Sequence, residues 1–166
     1  SCATCGGGGR VTERRTLNVE IPAGIASGQQ IRLTGRGHAG DFGAAAGDLY
    51  VQVDVRADDR FRRDGLDVVT RVAVPVTEAM VGATITVPTV DGEAPVELRA
   101  GTQPGDEFVL RGKGFPAIQG RGRGDQRVIV DVRVPRVITE EGRATVERLG
   151  EQLDARSYRE DEGFFD

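Results

Sequence analysis

The chain has 166 residues, of which 38% are hydrophobic and 29% charged, with a formal net charge of -4 and a pI near 5.2. No apolar run approaches the roughly 18 residues that a membrane helix needs, and an acidic chain lacks the clustered positive charge typical of nucleic-acid binding. We therefore expect neither a membrane span nor a nucleic-acid partner. No secretory-type leader precedes the first motif, so we expect a cytoplasmic location.

The only two cysteines, Cys2 and Cys5, open the chain in "SCATCGGGGR". This CxxC spacing places two thiolates on adjacent corners of a tetrahedral metal site, and the glycines let the backbone turn around the ion. Two thiolates are half of a zinc site. A redox CxxC pair is one alternative, but it normally lies at a helix N-terminus, which four glycines do not start. A disordered segment with inert thiols is the other alternative.

Apolar and polar residues alternate in several short stretches after the cysteines, at residues 19–21, 31–34 and 51–56. Alternation with a period of two predicts strands with one buried face. The 24 glycines separate these stretches and predict tight turns between them.

An internal repeat is the strongest signal in the sequence. The segment "VEIPAGIASGQQIRLTGRG" from Val19 aligns without a gap on "VELRAGTQPGDEFVLRGKG" from Val96, a shift of 77 positions, and "GDLYVQVDVR" from Gly47 aligns on "GDQRVIVDVR" from Gly124 at the same shift. About 16 of the 38 aligned positions are identical. The pattern indicates a duplicated β unit.

The second copy is preceded by further predicted elements. A strand is expected in "LDVVTRVAVPV" from Leu66, and a hairpin turn at Asp91 and Gly92. Between them, Thr77 is a suitable N-cap for a helix of one or two turns that Gly82 closes.

The same shift places the counterpart of Asp91 at position 14, just after the cysteine and glycine run. We interpret the cysteine module as an insertion at the hairpin tip of the first copy, so the counterparts of residues 66–90 would precede Ser1. We therefore expect a fragment cut within its first domain, in which a strand around Thr16 to Ile21 lacks its hairpin partner. An unpaired edge recruits strands, so we expect this edge to pair with a terminal segment of another chain.

A helix is predicted from Thr139 to Leu153, with Thr139 as its N-cap and acidic residues in its first turn. Val146, Leu149 and Leu153 form a narrow apolar stripe along it. The simplest use of this stripe is docking on the helix's own domain.

Three other motifs carry weaker signals. "GRGHAG", Gly35 to Gly40, fits a dinucleotide-binding GxGxxG pattern, but a strand rather than a helix follows it. "GRGRG", Gly120 to Gly124, contains arginines that could touch phosphate, yet it aligns with "GAAAG" and is expected to be a solvated loop. His38 is the only histidine and aligns with Phe115, so we expect it to pack in its loop.

A family resemblance rests on these motifs taken together. "CATCGGGG" at Cys2 to Gly9 leads into "TLNVEIPAGIASGQQIRLTGRGHAG" and "GDLYV", and is followed by "GATITVPTVDG", "GKGFP" and the final helix. This sequence resembles the DnaJ family of J-domain co-chaperones over nearly the whole chain. In that family four CxxCxGxG repeats make two zinc centres. The resemblance implies that Cys2 and Cys5 are zinc ligands in the fourth repeat.

The resemblance also implies a binding site for unfolded polypeptide. In the family the client adds as an extended strand beside a strand of the first β domain, with an apolar side chain in a neighbouring pocket. Transferred to this sequence, the site residues are Leu17 and Val51, with Val19 and Leu49 as adjacent candidates. For any single Leu or Val in an alternating strand, ordinary core packing is the alternative.

We therefore expect an all-β fold with a short helix and a C-terminal helix, built from two tandem, duplicated β-sandwich-like domains of which the first is incomplete. The predicted parts are the remnant of a cysteine-rich zinc module (1–10), β domain I (11–62), β domain II (63–138), and the helix with the start of a dimerisation tail (139–166).

The predicted function is non-enzymatic binding of unfolded polypeptides, in partnership with a DnaK-type ATPase chaperone. The sequence lacks the family's J-domain signature and its first three cysteine repeats, so zinc is expected in the intact protein and to be absent or non-native here. The intact protein is expected to be a homodimer, with weakened dimerisation here because "GFFD" at Gly163 to Asp166 only begins the tail. The alternatives are a structural spacer and dimerisation arm, or a zinc-dependent thiol oxidoreductase.

Overall fold

The structure is a computed structural model that describes residues 11–158 together with Ala3, Cys5 and Gly7. In chain order its elements are β1 (Gln30–Leu33), β2 (Leu49–Gln52), β3 (Arg62–Asp64), β4 (Asp67–Pro75), α1 (Val76–Val81), β5 (Ala83–Thr89), β6 (Gly92–Leu98), β7 (Glu107–Leu110), β8 (Gln126–Arg133) and α2 (Glu140–Gln152). Short 3-10 turns lie at Asp41–Gly43 and Ala155–Tyr158. Strands dominate, so the expected all-β fold with a short helix and a C-terminal helix is confirmed.

The strands form three sheets. β1 pairs with β2, β5 pairs with β6, and the largest sheet has the order β3-β4-β8-β7. The chain divides into two compact units: Ser1–Val68 with Arg111–Asp125, and Val69–Leu110 with Gln126–Asp166. The segment between β7 and β8 therefore belongs to the first unit, although by sequence it lies within the second repeat. The four predicted domain boundaries stay predictions.

The duplication is visible in the strand register. Ile31 of β1 lies opposite Val51 of β2, and Phe108 of β7 lies opposite Val128 of β8. The second pair is the first pair moved by 77 positions, as the repeat predicts. Both pairs are antiparallel. The two copies therefore fold into the same strand pairing.

The loops between the paired strands also match. In the first loop (residues 34–48), the carboxylate of Asp48 accepts a hydrogen bond from the backbone N–H of Gly35 at 2.9 Å. In the second loop (residues 111–125), Asp125 accepts one from Gly112 at 2.7 Å. Each carboxylate satisfies a backbone donor in a tight turn, so the repeated Asp has a structural role in each copy.

The second unit holds an apolar core. The β5–β6 hairpin, α1, β4 and β8 contribute its buried side chains, which are Val74, Ala79, Val87, Val96, Leu98, Val128 and Val130. Full burial of one Val or Leu side chain contributes about 1.5–3 kcal/mol to stability. Gln126 is buried beside them and donates from Nε2 to the carbonyl of Pro88 at 2.7 Å.

The predicted hairpin is confirmed: in β5 and β6, Thr89 lies opposite Gly92. The helix that follows β4 is also present, but the predicted N-cap at Thr77 is wrong. Pro75 occupies the cap position with an extended backbone, so the helix starts at Val76, and no side chain caps it. The predicted end is correct, because Gly82 has φ +84 and its N–H donates to the carbonyl of Glu78 at 2.8 Å.

The predicted strand around Thr16 to Ile21 is not formed: residues 11–22 contain no strand. The backbone groups of a strand need a hydrogen-bonded neighbour, and the counterpart segment in the second copy has β5 as its neighbour. Burial still alternates, with Leu17 and Val19 half-buried and Asn18 and Glu20 exposed. The apolar side chains therefore still lie on one face, as the sequence predicts, although residues 11–22 form no strand.

The C-terminal helix is confirmed as α2. Thr139 caps it, because its Oγ1 accepts from the backbone N–H of Gly142 at 3.0 Å. Helix α2 has no buried residue, and its Val146 is 57% exposed. The expected docking on its own domain is therefore not observed among the described residues. No helix in this part of the chain is long and apolar enough to cross a membrane.

Candidate functional site

An open groove lies beside the β1–β2 pair of the first unit. Its lining residues are Glu20, Ile21, Pro22, Gln30 and Ile31. Two of them, Ile21 and Ile31, are large apolar residues on either side of the turn that precedes β1. Ile21 is 63% exposed, which leaves most of a large aliphatic side chain in contact with water. The groove is therefore an apolar surface with polar side chains around it.

The second copy shows what normally covers this surface. The counterpart of Ile21 is Leu98, which is 5% exposed, and the counterpart of Ile31 is Phe108, which packs against the same core. Leu98 lies in β6, which pairs along its whole length with β5. Residues 11–22 form no such pairing. Ile21 is thus exposed in the first unit at a position that the second unit buries, whereas Ile31 and Phe108 are both half-buried.

Strand β2 also lacks a neighbour that its counterpart in the second copy has. Its counterpart β8 lies between β4 and β7, and Val128 in β8 is fully buried. Within the described residues β2 pairs with β1 alone, and Val51, the counterpart of Val128, is only half-buried. The edge of β2 opposite β1 is therefore an edge at which an extended chain could add.

Two of the candidate site residues lie on the β1–β2 ladder, next to the groove. Val51 lies opposite Ile31 across the β1–β2 ladder, and Leu49 lies opposite Leu33. Leu17 lies in the extended stretch before the groove and is half-buried. Neither Leu17 nor Val51 is itself among the lining residues.

Sequence reasoning missed Ile21 and Ile31, which line the groove. The internal repeat contains the signal from which these two residues could have been predicted. Their counterparts Leu98 and Phe108 belong to or contact the core of the second unit. When the strand that carries a core residue is not formed, the apolar side chain at that position stays exposed to water.

A charged cluster fixes the first loop beyond the end of β1. Asp48 accepts from the backbone N–H of Gly35 at 2.9 Å and from Nε of Arg32 at 2.6 Å. The hydrogen bond from Gly35, followed by that from Arg32, holds the pKa of Asp48 below its ordinary value of 3.8. Asp48 is therefore ionised at neutral pH and holds the loop that connects β1 to β2.

The predicted zinc ligands give at most half a site. Cys5 is half-buried and lies in a turn, whereas Cys2 lies outside the described residues. Among the described residues no three His, Cys, Asp or Glu side chains are grouped closely enough to hold a metal ion. Two thiolates do not complete a tetrahedral zinc site, so the residues described here do not fit the ion without ligands from elsewhere.

Comparisons with known proteins agree with this architecture. A family model described as the DnaJ C terminal domain matches residues 8–135. The Chaperone protein DnaJ of Halalkalibacterium halodurans is 43% identical over 99% of this chain and 44% of its own length. Those of Bacillus cytotoxicus and Bacillus cereus are 49% and 48% identical over 83% of this chain, and 38% and 37% of their own lengths.

The chain thus spans about two fifths of the length of these relatives. The family model covers both sequence repeats and ends after β8, before α2 begins. Because this model matches most of the chain, the chain belongs to the DnaJ family and contains its C-terminal domain.

Proposed function

We propose that this chain binds extended, apolar segments of non-native polypeptides, as the client-binding part of a DnaJ-type co-chaperone. The observation that carries the proposal is the apolar surface at Ile21, which is 63% exposed in the groove, whereas its counterpart Leu98 is 5% exposed in the second unit. A client segment would cover this surface with an apolar side chain. The main chain of the client would pair with the free edge of β2, beside Val51.

Strand addition accounts for binding of many different sequences. Backbone N–H and C=O groups are common to all polypeptides, so pairing with β2 supplies affinity without reading side chains. The groove adds a preference for apolar residues at one position. Leu17 and Val19, which are half-buried in the stretch before Ile21, would extend the apolar surface towards the N-terminal side.

Family membership supports the rest of the proposal. The whole protein would act without enzymatic activity of its own, would deliver clients to a DnaK-type ATPase chaperone and would work as a homodimer in the cytoplasm. Cys2 and Cys5 would be the fourth cysteine repeat and would share a zinc ion with ligands outside this chain. Residues 1–10, 11–62, 63–138 and 139–166 would be its zinc remnant, two β domains and dimerisation segment.

Fluorescence anisotropy of a labelled, extended apolar peptide tests the groove. Three variants, called the groove variants, are used: Ile21→Asp in the groove lining, and Leu17→Asp and Val51→Asp at the predicted site residues. Each is checked for folding by circular dichroism. Val109→Asp is the matched control, because Val109 is 52% exposed on β7 in the second unit. A carboxylate buried against the client costs more than about 1.4 kcal/mol, so the groove variants should bind at least tenfold more weakly.

Saturable binding that survives Val109→Asp and is lost in the groove variants supports the proposal. Equal binding by the parent and all folded groove variants contradicts it. Equal loss in Val109→Asp would also contradict it, because the effect would then come from added charge rather than from the groove.

A further inference from the structure

All three nitrogens of the Arg63 guanidinium group donate hydrogen bonds within the first unit. From β3, its Nη1 donates to the carbonyl of Ile25 at 2.8 Å and its Nη2 to the carbonyl of Gly24 at 2.7 Å. Its Nε donates to the carbonyl of Gly65 at 2.8 Å. The guanidinium carbon also lies 4.5 Å from the centroid of the Phe115 ring. One planar cation thus joins three carbonyls and a ring, which a lysine ammonium does not reproduce.

The second loop meets the same place with its backbone. A Cβ atom on Gly24 would lie 2.1 Å from the carbonyl oxygen of Pro116, so the turn at Gly24 touches the loop directly. The N–H of Phe115 donates to the carbonyl of Leu66 at 2.7 Å. A Cβ on Gly124 would lie 2.1 Å from that same oxygen. Within the first unit, the loop therefore fits against residues 24 and 66 with no space for a side chain at Gly24 or Gly124.

We propose that Arg63 is a latch that holds the second loop on the turn at Gly24 and Ile25. In this arrangement the turn belongs to the first repeat and the Phe115 ring to the second, and the Arg63 guanidinium contacts both. The second loop opens when these contacts break. His38, the counterpart of Phe115 in the first loop, is exposed, so the two loops differ in this respect. The proposal does not depend on client binding.

Hydrogen exchange in the 166-residue chain measures the opening of the loop. The reporters are the amides of Phe115 and Gly124, which donate to Leu66 and Phe115. Arg63→Lys keeps the charge and loses the planar fork, and Phe115→Leu keeps an apolar side chain and loses the ring. Each change should accelerate exchange of the reporters about tenfold, which corresponds to loss of one charge-assisted contact.

Arg62→Lys is the matched control, because Arg62 is the exposed neighbour of Arg63 on β3. It should leave the reporters unchanged. The amides of Gly105 and Val130, which donate to Val130 and Asp106 in the second unit, should keep their exchange rates in every variant. Trypsin cleavage after Arg121 and Arg123 in the second loop should accelerate in parallel with the reporters.

Unchanged exchange of the reporters in Arg63→Lys would overturn the latch. Equal acceleration at Gly105 and Val130 would overturn it as well, because Arg63 would then serve overall stability alone. The double variant gives a third test. If the effects of Arg63→Lys and Phe115→Leu multiply as independent changes do, the guanidinium and the ring do not act together and the proposal is wrong.

Discussion

Gly24 and Gly28 share one backbone conformation and differ in what surrounds them. Their φ angles are +83° and +85°, in the region that disfavours L side chains. A Cβ on Gly28 would meet nothing within 4 Å, whereas one on Gly24 would overlap the carbonyl of Pro116. Substitutions at these two glycines therefore separate the energetic cost of a strained backbone from that of a steric overlap.

We expect Gly28→Ala to lower the free energy of unfolding by about 1–2 kcal/mol, the cost of a left-handed backbone. Gly24→Ala should cost clearly more, because the turn or the second loop must move to relieve the overlap. Urea denaturation of both variants measures the difference. Equal losses would show that the second loop gives way without cost.

Asp48 should make stability depend on pH in the acid range. Because the hydrogen bonds from Gly35 and Arg32 lower the pKa of Asp48 in the folded chain, the unfolded chain binds more protons there. The free energy of unfolding therefore rises with pH. This stabilisation is fully present above the ordinary pKa of 3.8 and is lost as the pH falls through the lowered folded value.

Urea denaturation at several pH values between about 2 and 6 tests this assignment. Asp48→Asn should show a weaker dependence of unfolding free energy on pH than the parent. An NMR titration of Arg32→Leu should find the pKa of Asp48 raised towards its ordinary value. A parent-like pH dependence in Asp48→Asn would contradict the prediction.

At the scale of elements, α2 depends on its cap because no residue of the helix is buried. Thr139→Ala removes the acceptor for the N–H of Gly142 and should cost about 1 kcal/mol of helix stability. The matched control is Thr145→Ala: in the middle of α2, Thr145 donates to the carbonyl of Glu141. Alanine favours helix at that position, so helicity measured by circular dichroism should fall in Thr139→Ala and hold or rise in Thr145→Ala.

Local patterns predicted the elements whose determinants lie close together in the sequence. Alternation and the repeat gave β1, β2, β7 and β8, because register follows from the buried face. The Thr139 cap was predictable since its acceptor and donor are three residues apart.

The misplaced elements depend on neighbours that no local pattern shows. The alternation at residues 16–21 indicates a buried face but cannot supply a hydrogen-bonded partner. Thr77 had suitable chemistry for a cap, yet the extended backbone of Pro75 fixed the start of α1 earlier. For the site, alternation predicted that Val51 faces inward. It could not predict that Ile21 would remain exposed, because exposure depends on which segments cover it.

At the scale of the whole molecule, we expect the 166-residue chain to associate weakly. The exposed apolar residues of α2 form only a narrow stripe, with Val146 57% and Leu149 37% exposed. A stable dimer buries at least about 1,200 Å² in total, which such a stripe does not provide by itself. Light scattering should give a mass near the 17.7 kDa monomer at low concentration, rising with concentration.

The matched variant Val146→Glu with Leu149→Glu should remove that rise if α2 forms the contact. A dimer mass that does not change with dilution would contradict weak association. Hydrogen exchange at Thr16 to Ile21 identifies the other candidate contact. Protection that grows with concentration would show that this stretch pairs with another chain, as its unpaired edge predicts.

Because the second loop belongs to the first unit, a gene for such a chain cannot be cut between the repeats without separating residues that pack together. A fragment ending between the repeats would leave Gly24 facing water where Pro116 now lies, and one starting there would present Phe115 without its neighbouring turn. Each copy thus depends on the other for part of its packing. Recombination between relatives should preserve function when crossover points spare residues 24–125, and should give poorly folded chimeras when a crossover separates the turn from the loop.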